Sequence, residues 1–173
     1  MPYVNIWIHA VWSTKYRKNY LSQDIRKDVF SHIKLNALEK GINLDFINGY
    51  SDHTHALISL GKIQTIADIM QSIKGESSAW VNKNKLTTSH LIWQDDYYAA
   101  SVCPTHIQNV RNYIRAQEIH HSNITWEEEI EILIKNSDSK NLRILKNDEY
   151  GLRIVVNAHN PSAKADGKWI NVS

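Results

Sequence analysis

The stretch 42-INLDFINGYSDHTHALISL-60 decides how this chain folds. Two runs of β-branched, aromatic and aliphatic residues flank a short polar break. That pattern reads as two strands close enough in sequence to pair as an antiparallel hairpin, with Asn48-Gly49 as the turn signal. Side chains alternate along a strand, so His53 and His55 share a face with Leu57 and Ser59. Thr54, Ala56, Ile58 and Leu60 take the other face, the side expected to pack on helices. Two imidazoles on one face have two readings. An H-x-H pair is often an incidental structural feature. The same spacing also lets two ring nitrogens converge on a divalent metal, Mg2+ or Mn2+ included where oxygen ligands join them. Asp52 is then either a turn residue or the group that orients a metal-bound imidazole.

The flanking sequence places this hairpin in a larger order. Tyr3 to Thr14, YVNIWIHAVWST, is a strand whose continuously apolar centre predicts a central place in a sheet. A basic loop with interleaved tyrosines follows, KYRKNY. Ser22 opens a helix to about Lys40, stopped by Gly41, with Ile25, Val29, Ile33 and Leu38 as its apolar stripe. Beyond the hairpin, Thr65 and Asp68 cap a long helix in which Ile66, Ile69, Met70, Ile73, Trp80 and Val81 recur at helical spacing. Gly75 inside it costs about 1 kcal/mol relative to Ala, which suggests a close approach there. A fourth strand around Tyr97 to Cys103 is broken by Pro104. Thr105 with Gln108 then caps a helix to about His121, and Thr125 with Glu128 caps another through about Lys135. The order β-α-β-β-α-β followed by two helices predicts an α+β, ferredoxin-like (split βαβ) fold, an antiparallel sheet with helices on one face. Residues 1–136 form that domain. Residues 137–173 are polar and poorly periodic, and read as a flexible or partner-dependent extension.

Composition narrows the function classes. The chain has 173 residues, 42% hydrophobic and 22% charged, in the range of ordinary globular proteins. No apolar run approaches the roughly 18 residues of a membrane span, and the N-terminus lacks the basic leader of a signal peptide. Cys103 is the single cysteine, so no intrachain disulfide forms, which fits the cytoplasm. A net charge of +2, with nine histidines outside that count, permits a polyanionic partner.

The helix HIQNVRNYIRAQEIHH places Tyr113 and Gln117 one turn apart on its edge. Plain amphipathic packing accounts for that pair. So does chemistry: a phenol is inert at neutral pH unless a metal or base assists it. A metal polarising a phosphodiester supplies that assistance. His53, His55 and Gln117 would be its three ligands, with Tyr113 beside it.

DHTHALISL, MQSIKGESSAW, WQDDYYAASV and VRNYIRAQEIHH occur in the order found in single-tyrosine HUH transposases, and from Pro2 to Lys135 the chain resembles that family of IS200-like transposases. The resemblance implies a ferredoxin-like fold, a homodimer with composite active sites, and cleavage and rejoining of single-stranded DNA at the hairpin-marked ends of a mobile element. It implies His53 and His55 as metal ligands, Gln117 as the third, and Tyr113 as the nucleophile that forms a 5′-phosphotyrosine. Thr54 stands where the family usually has an aliphatic residue, and YYAAS lacks the family's usual glycine. Candidate DNA contacts are Lys15, Tyr16, Arg17 and Lys18 after the first strand, and Lys74, Lys83 and Lys85 on or after the second helix. Cations would bind phosphates and Tyr16 would stack on a base; each is equally consistent with a solvated surface. Two rival functions remain, a domesticated hairpin-binding relative and a metal-dependent phosphoesterase that uses water.

Overall fold

Trp7–Ser13 forms β1, which takes the middle of a sheet because side chains on both its faces are buried. The computed structural model describes residues 3–117, 126–136, 142–145 and 153–156. After β1 come α1 (Gln23–Glu39), β2 (Asn43–Gly49), β3 (His53–Ser59), α2 (Ile66–Lys83) and β4 (Tyr98–Val102). They are followed by α3 (Ile107–Arg115), α4 (Trp126–Asn136), β5 (Leu142–Leu145) and β6 (Arg153–Val156). The first four strands lie in the order β2-β3-β1-β4, with every neighbouring pair antiparallel. This is the split-βαβ, ferredoxin-like α+β arrangement expected from the sequence.

The even-numbered residues of β1 and β3 face α1 and α2. Ala10, Trp12, Ala56 and Ile58 pack there with Val29, Phe30, Ile33 and Ala37 of α1 and Ile69, Met70, Ile73 and Val81 of α2. The odd-numbered residues face the other way. His9, Val11, His53, His55 and Leu57 are all buried on that second face, which α3 covers through contacts with β2 and β3. Helices therefore lie on both sides of the sheet, the first two forming the core layer and the later ones closing over the histidines.

Several local expectations shift. Leu38 is exposed at 73%, and Ala37 takes the core position instead. Asn48 and Gly49 belong to β2, and the chain reverses after them, with the Tyr50 amide bonded to the His53 carbonyl. Gly49 is needed for contact rather than turning: a Cβ there would overlap the His53 carbonyl oxygen and lie 2.8 Å from the Thr54 Cα. Gly75 meets nothing within 4 Å, so no close approach explains it. Thr65 caps α2 as expected, its hydroxyl accepting from the Asp68 amide. The Thr105 box does not form. A short 3-10 turn occupies Pro104–His106, and α3 starts after it without a side-chain cap. The helix also ends at Arg115 rather than near His121, and His121 and Thr125 lie outside the described residues. Within 137–173, β5 and β6 pair antiparallel, two strands that the weak periodicity did not reveal.

Candidate active site

The buried histidine face becomes a site because three elements converge on it. β3 presents His53 and His55, each fully buried. From α4, Glu129 enters between them, also fully buried. Its carboxylate lies 3.8 Å from His53 Nε2 and 3.4 Å from His55 Nε2. The chain just past α3 adds Gln117, whose Nε2 donates to Glu129 Oε1 at 3.0 Å. On α3 itself, the Tyr113 hydroxyl donates to the same Oε1. The Tyr113 ring stands edge-on to His55, centroids 5.8 Å apart, and to His9 at 6.0 Å.

Each imidazole is oriented from behind. His53 Nδ1 meets Asp52 Oδ1 at 2.7 Å, and Asp52 Oδ2 meets Arg17 Nη2 at 2.7 Å. His55 Nδ1 meets His9 Nε2 at 3.1 Å. Burial, reinforced by His55 and opposed by Glu129, lowers the His9 pKa to about 3. His9 is therefore neutral and can accept the His55 Nδ1–H. With both Nδ1 atoms engaged as donors, the two Nε2 lone pairs are directed toward Glu129. Separations of 3.4 and 3.8 Å are long for hydrogen bonds. Ligand atoms from His53, His55 and Glu129 all lie within 4.8 Å of one another. Two imidazoles and a carboxylate in this spacing fit a divalent cation in a mixed nitrogen and oxygen site.

Tyr113 is held in its protonated form. Burial first, then the Glu129 charge and the hydrogen bond to it, raise its pKa well above the usual phenol range, with Gln117 opposing. An ionised phenolate beside that carboxylate is disfavoured, so Tyr113 stands as a phenol whose hydroxyl donates to Glu129.

The sequence-derived residues separate into groups. His53, His55, Tyr113 and Gln117 come together. Gln117 donates to Glu129, and the Glu129 carboxylate joins the two histidines as a further candidate ligand. Glu129 and His9 were missed. His9 carried a signal, as a polar residue in register with an apolar strand. Glu129 carried none, as one of three adjacent glutamates on an exposed-looking helix. The Tyr113 ring meets His55 and His9 of the same chain.

Of the candidate DNA contacts, Lys15 and Lys74 gather at one place. Lys15 Nζ lies 3.1 Å from Asp95 Oδ2, and Lys74 Nζ donates to the Asp95 carbonyl at 2.6 Å. Tyr16 is 52% exposed beside them, and Lys18 is exposed. Burial lowers the Lys74 pKa, with Asp95 and Asp96 opposing. Lys83 and Lys85 are exposed at the far end of α2, away from this group. Arg17 turns inward to Asp52. Among the described residues, no helix is long and apolar enough to cross a membrane.

The family model described as Transposase IS200 like matches residues 2–117, and the chain belongs to that family. It is similar to ISDra2 transposase TnpA of Deinococcus radiodurans R1, with 25% identity over 115 residues, 63% of this chain and 81% of that protein. Among solved structures, a candidate transposase from Deinococcus radiodurans R1 aligns with a TM-score of 0.53 and 21% identity, covering 68% of this chain and 95% of the other. A REP-associated tyrosine transposase bound to a REP hairpin aligns with a TM-score of 0.54 and 11% identity, covering 72% and 73%. Glu129 lies beyond the residues that the family model matches.

Proposed function

We propose that this chain cleaves and rejoins single-stranded DNA at hairpin-marked ends of a mobile element, with Tyr113 as nucleophile and a divalent cation, Mg2+ or Mn2+, at His53, His55 and Glu129. One observation carries this reading: the Tyr113 hydroxyl, both histidines and Glu129 meet in one buried cluster. The Tyr113 oxygen would attack the scissile phosphorus, the bond from phosphorus to the 3′ oxygen would break, and the strand downstream of the cut would remain joined to the tyrosine through its 5′ phosphate. Glu129 Oε1 lies where it would receive the phenol proton, and the departing 3′ oxygen would take up a proton to become a hydroxyl. The energy of the broken ester is kept in the phosphotyrosine, so rejoining requires no nucleotide cofactor. When bound, the cation would withdraw charge from the phosphate and from the phenol. Gln117 would hold Glu129 in place. Lys15, Tyr16, Lys18 and Lys74 would bind the hairpin, and Lys83 and Lys85 would contribute only if the DNA extends along α2. Homodimerisation in the cytoplasm is part of the proposal, with each active site complete in its own chain.

The test is a denaturing gel of end-labelled hairpin oligonucleotide with the full chain and Mn2+. A covalent adduct that disappears in Tyr113→Phe is expected. Cleavage without an adduct, undiminished in Tyr113→Phe, would instead identify a phosphoesterase that uses water. Tight hairpin binding with neither product would identify a binding protein.

A further inference from the structure

Arg17 sits in the loop whose other charges are candidate phosphate contacts, yet its guanidinium is turned away from solvent onto Asp52. Its Nη2 lies 2.7 Å from Asp52 Oδ2, and the other oxygen of that carboxylate lies 2.7 Å from His53 Nδ1. The backbone is held in an uncommon shape to allow this. Tyr16 and Arg17 are consecutive non-glycine residues in the left-handed region, at φ 57° and 56°. Such conformations persist only where the surroundings fix them, and they concentrate at functional sites. Here the surroundings are specific. The Arg17 amide donates to the Thr14 carbonyl at 3.1 Å, and the Thr14 hydroxyl donates to the Lys18 carbonyl at 2.6 Å. The Thr14 amide donates to the Asp52 carbonyl at 2.8 Å, and that of Lys15 to the Ile92 carbonyl at 2.7 Å. The loop is thus tied to the turn that precedes His53 at Thr14, and again at its far end, where the Leu21 amide donates to the Ser51 carbonyl at 2.8 Å.

We propose that Arg17 is a positioning residue for the metal ligand His53, acting through Asp52, and not a contact to DNA phosphate. This rests on the reading of His53 and His55 as metal ligands. The reasoning is geometric. An imidazole whose Nδ1–H donates to a carboxylate is fixed in one tautomer and one ring orientation, with the Nε2 lone pair directed at the metal position. A carboxylate with two free rotamers does this poorly; one whose second oxygen is pinned by a guanidinium holds still. The same loop carries Tyr16 and Lys18 at the surface.

The test uses the full chain and two readouts. Mn2+ binding is followed by calorimetry, and the His53 ring tautomer by 15N NMR of the metal-free protein. Arg17→Gln should weaken Mn2+ binding by about tenfold, and Asp52→Ala by about ten- to a hundredfold. In both, the His53 Nδ1–H tautomer should give way to a mixture, while hairpin affinity in EDTA stays within about twofold of wild type, since phosphate binding is separate from the metal. Lys18→Gln should do the reverse. Arg17→Lys should retain more of both signals than Arg17→Gln, because an ammonium can still pair with Asp52. If Arg17→Gln does not fold, Arg17→Lys and Asp52→Asn carry the comparison. An unchanged tautomer overturns the proposal, as does hairpin binding lost in EDTA with Mn2+ affinity intact. If wild type binds no Mn2+, the metal reading fails on its own, and the tautomer still decides the role of Arg17.

Discussion

At the residue scale, Glu129 changes what the site is. The sequence offers an amide, Gln117, as third ligand, on its spacing along a helix and on the family resemblance. That argument assumed α3 continues to residue 117, whereas it ends at Arg115 and Gln117 follows a capping turn at Ala116. The amide still arrives, but as the donor that steadies a carboxylate from α4. A charged oxygen offers more to a divalent cation than an amide does, and it offsets part of the cation's charge in a buried place. Glu129→Ala should therefore weaken Mn2+ binding at least tenfold, about 1.4 kcal/mol, and Gln117→Ala should cost less. The reverse ranking by calorimetry would return the ligand role to Gln117. His53 and His55 were legible because two imidazoles on one strand face are chemically conspicuous. Glu129 was not, because burial of a glutamate by a distant segment leaves no mark on its neighbours in sequence.

At the scale of elements, alternation along β3 was read correctly, and both faces do what period two demands. The phase of α1 was misjudged at its end, where Leu38 looked like the better core residue. Ala37, 1% exposed, fills the position within the core cluster, whereas Leu38 faces solvent. Gly49 was read as a turn residue from its dipeptide. Its actual task is to let β2 approach the carbonyl of His53, which no local pattern announces. Gly49→Ala should force the two strands apart at His53. We expect a loss of about 2 kcal/mol in unfolding free energy, within the range of overpacking substitutions, together with weakened Mn2+ binding. A thermal midpoint and Mn2+ affinity like wild type would remove the argument. Thr54 tests the same hairpin from its core side. It is fully buried, and its hydroxyl has no hydrogen-bond partner among the described residues. Thr54→Val keeps the shape and removes that buried polar group, so it should raise stability by about 1 kcal/mol in urea unfolding. Destabilisation would mean that the hydroxyl has a partner in the folded chain.

At the scale of the whole molecule, the question is whose histidines the tyrosine serves. The sequence suggested an arm that swings: an abrupt start at Pro104 and a short link after the helix. In the structure of the single chain, α3 is held on β2 by several contacts. Asp45 lies where the register of β2 slips between Leu44 and Phe46, and it receives Arg111 in a two-point pair, Nε at 2.7 Å and Nη2 at 2.9 Å. The Asn48 amide donates to the carbonyls of Ile114 and Arg115 at 3.0 and 3.3 Å, closing the end of the helix on the same strand. The Arg115 guanidinium lies 5.4 Å from the centroid of the Phe46 ring. Each contact is modest alone, the partly exposed ion pair included. Together they fix both the position and the rotation of α3 on β2 of its own chain, and with Ile114 fully buried they set Tyr113 over His55. Co-expressing Tyr113→Phe with the His53→Ala/His55→Ala double variant under two different tags separates the arrangements. In a mixed dimer with shared sites, one site combines an intact tyrosine with intact histidines, and the DNA adduct returns. In the arrangement described here, every chain lacks one half of its own site. The purified mixed species should therefore form no adduct, although each variant still binds hairpin DNA. Recovery of the adduct to near half the wild-type level would mean that α3 leaves β2 and crosses to a partner.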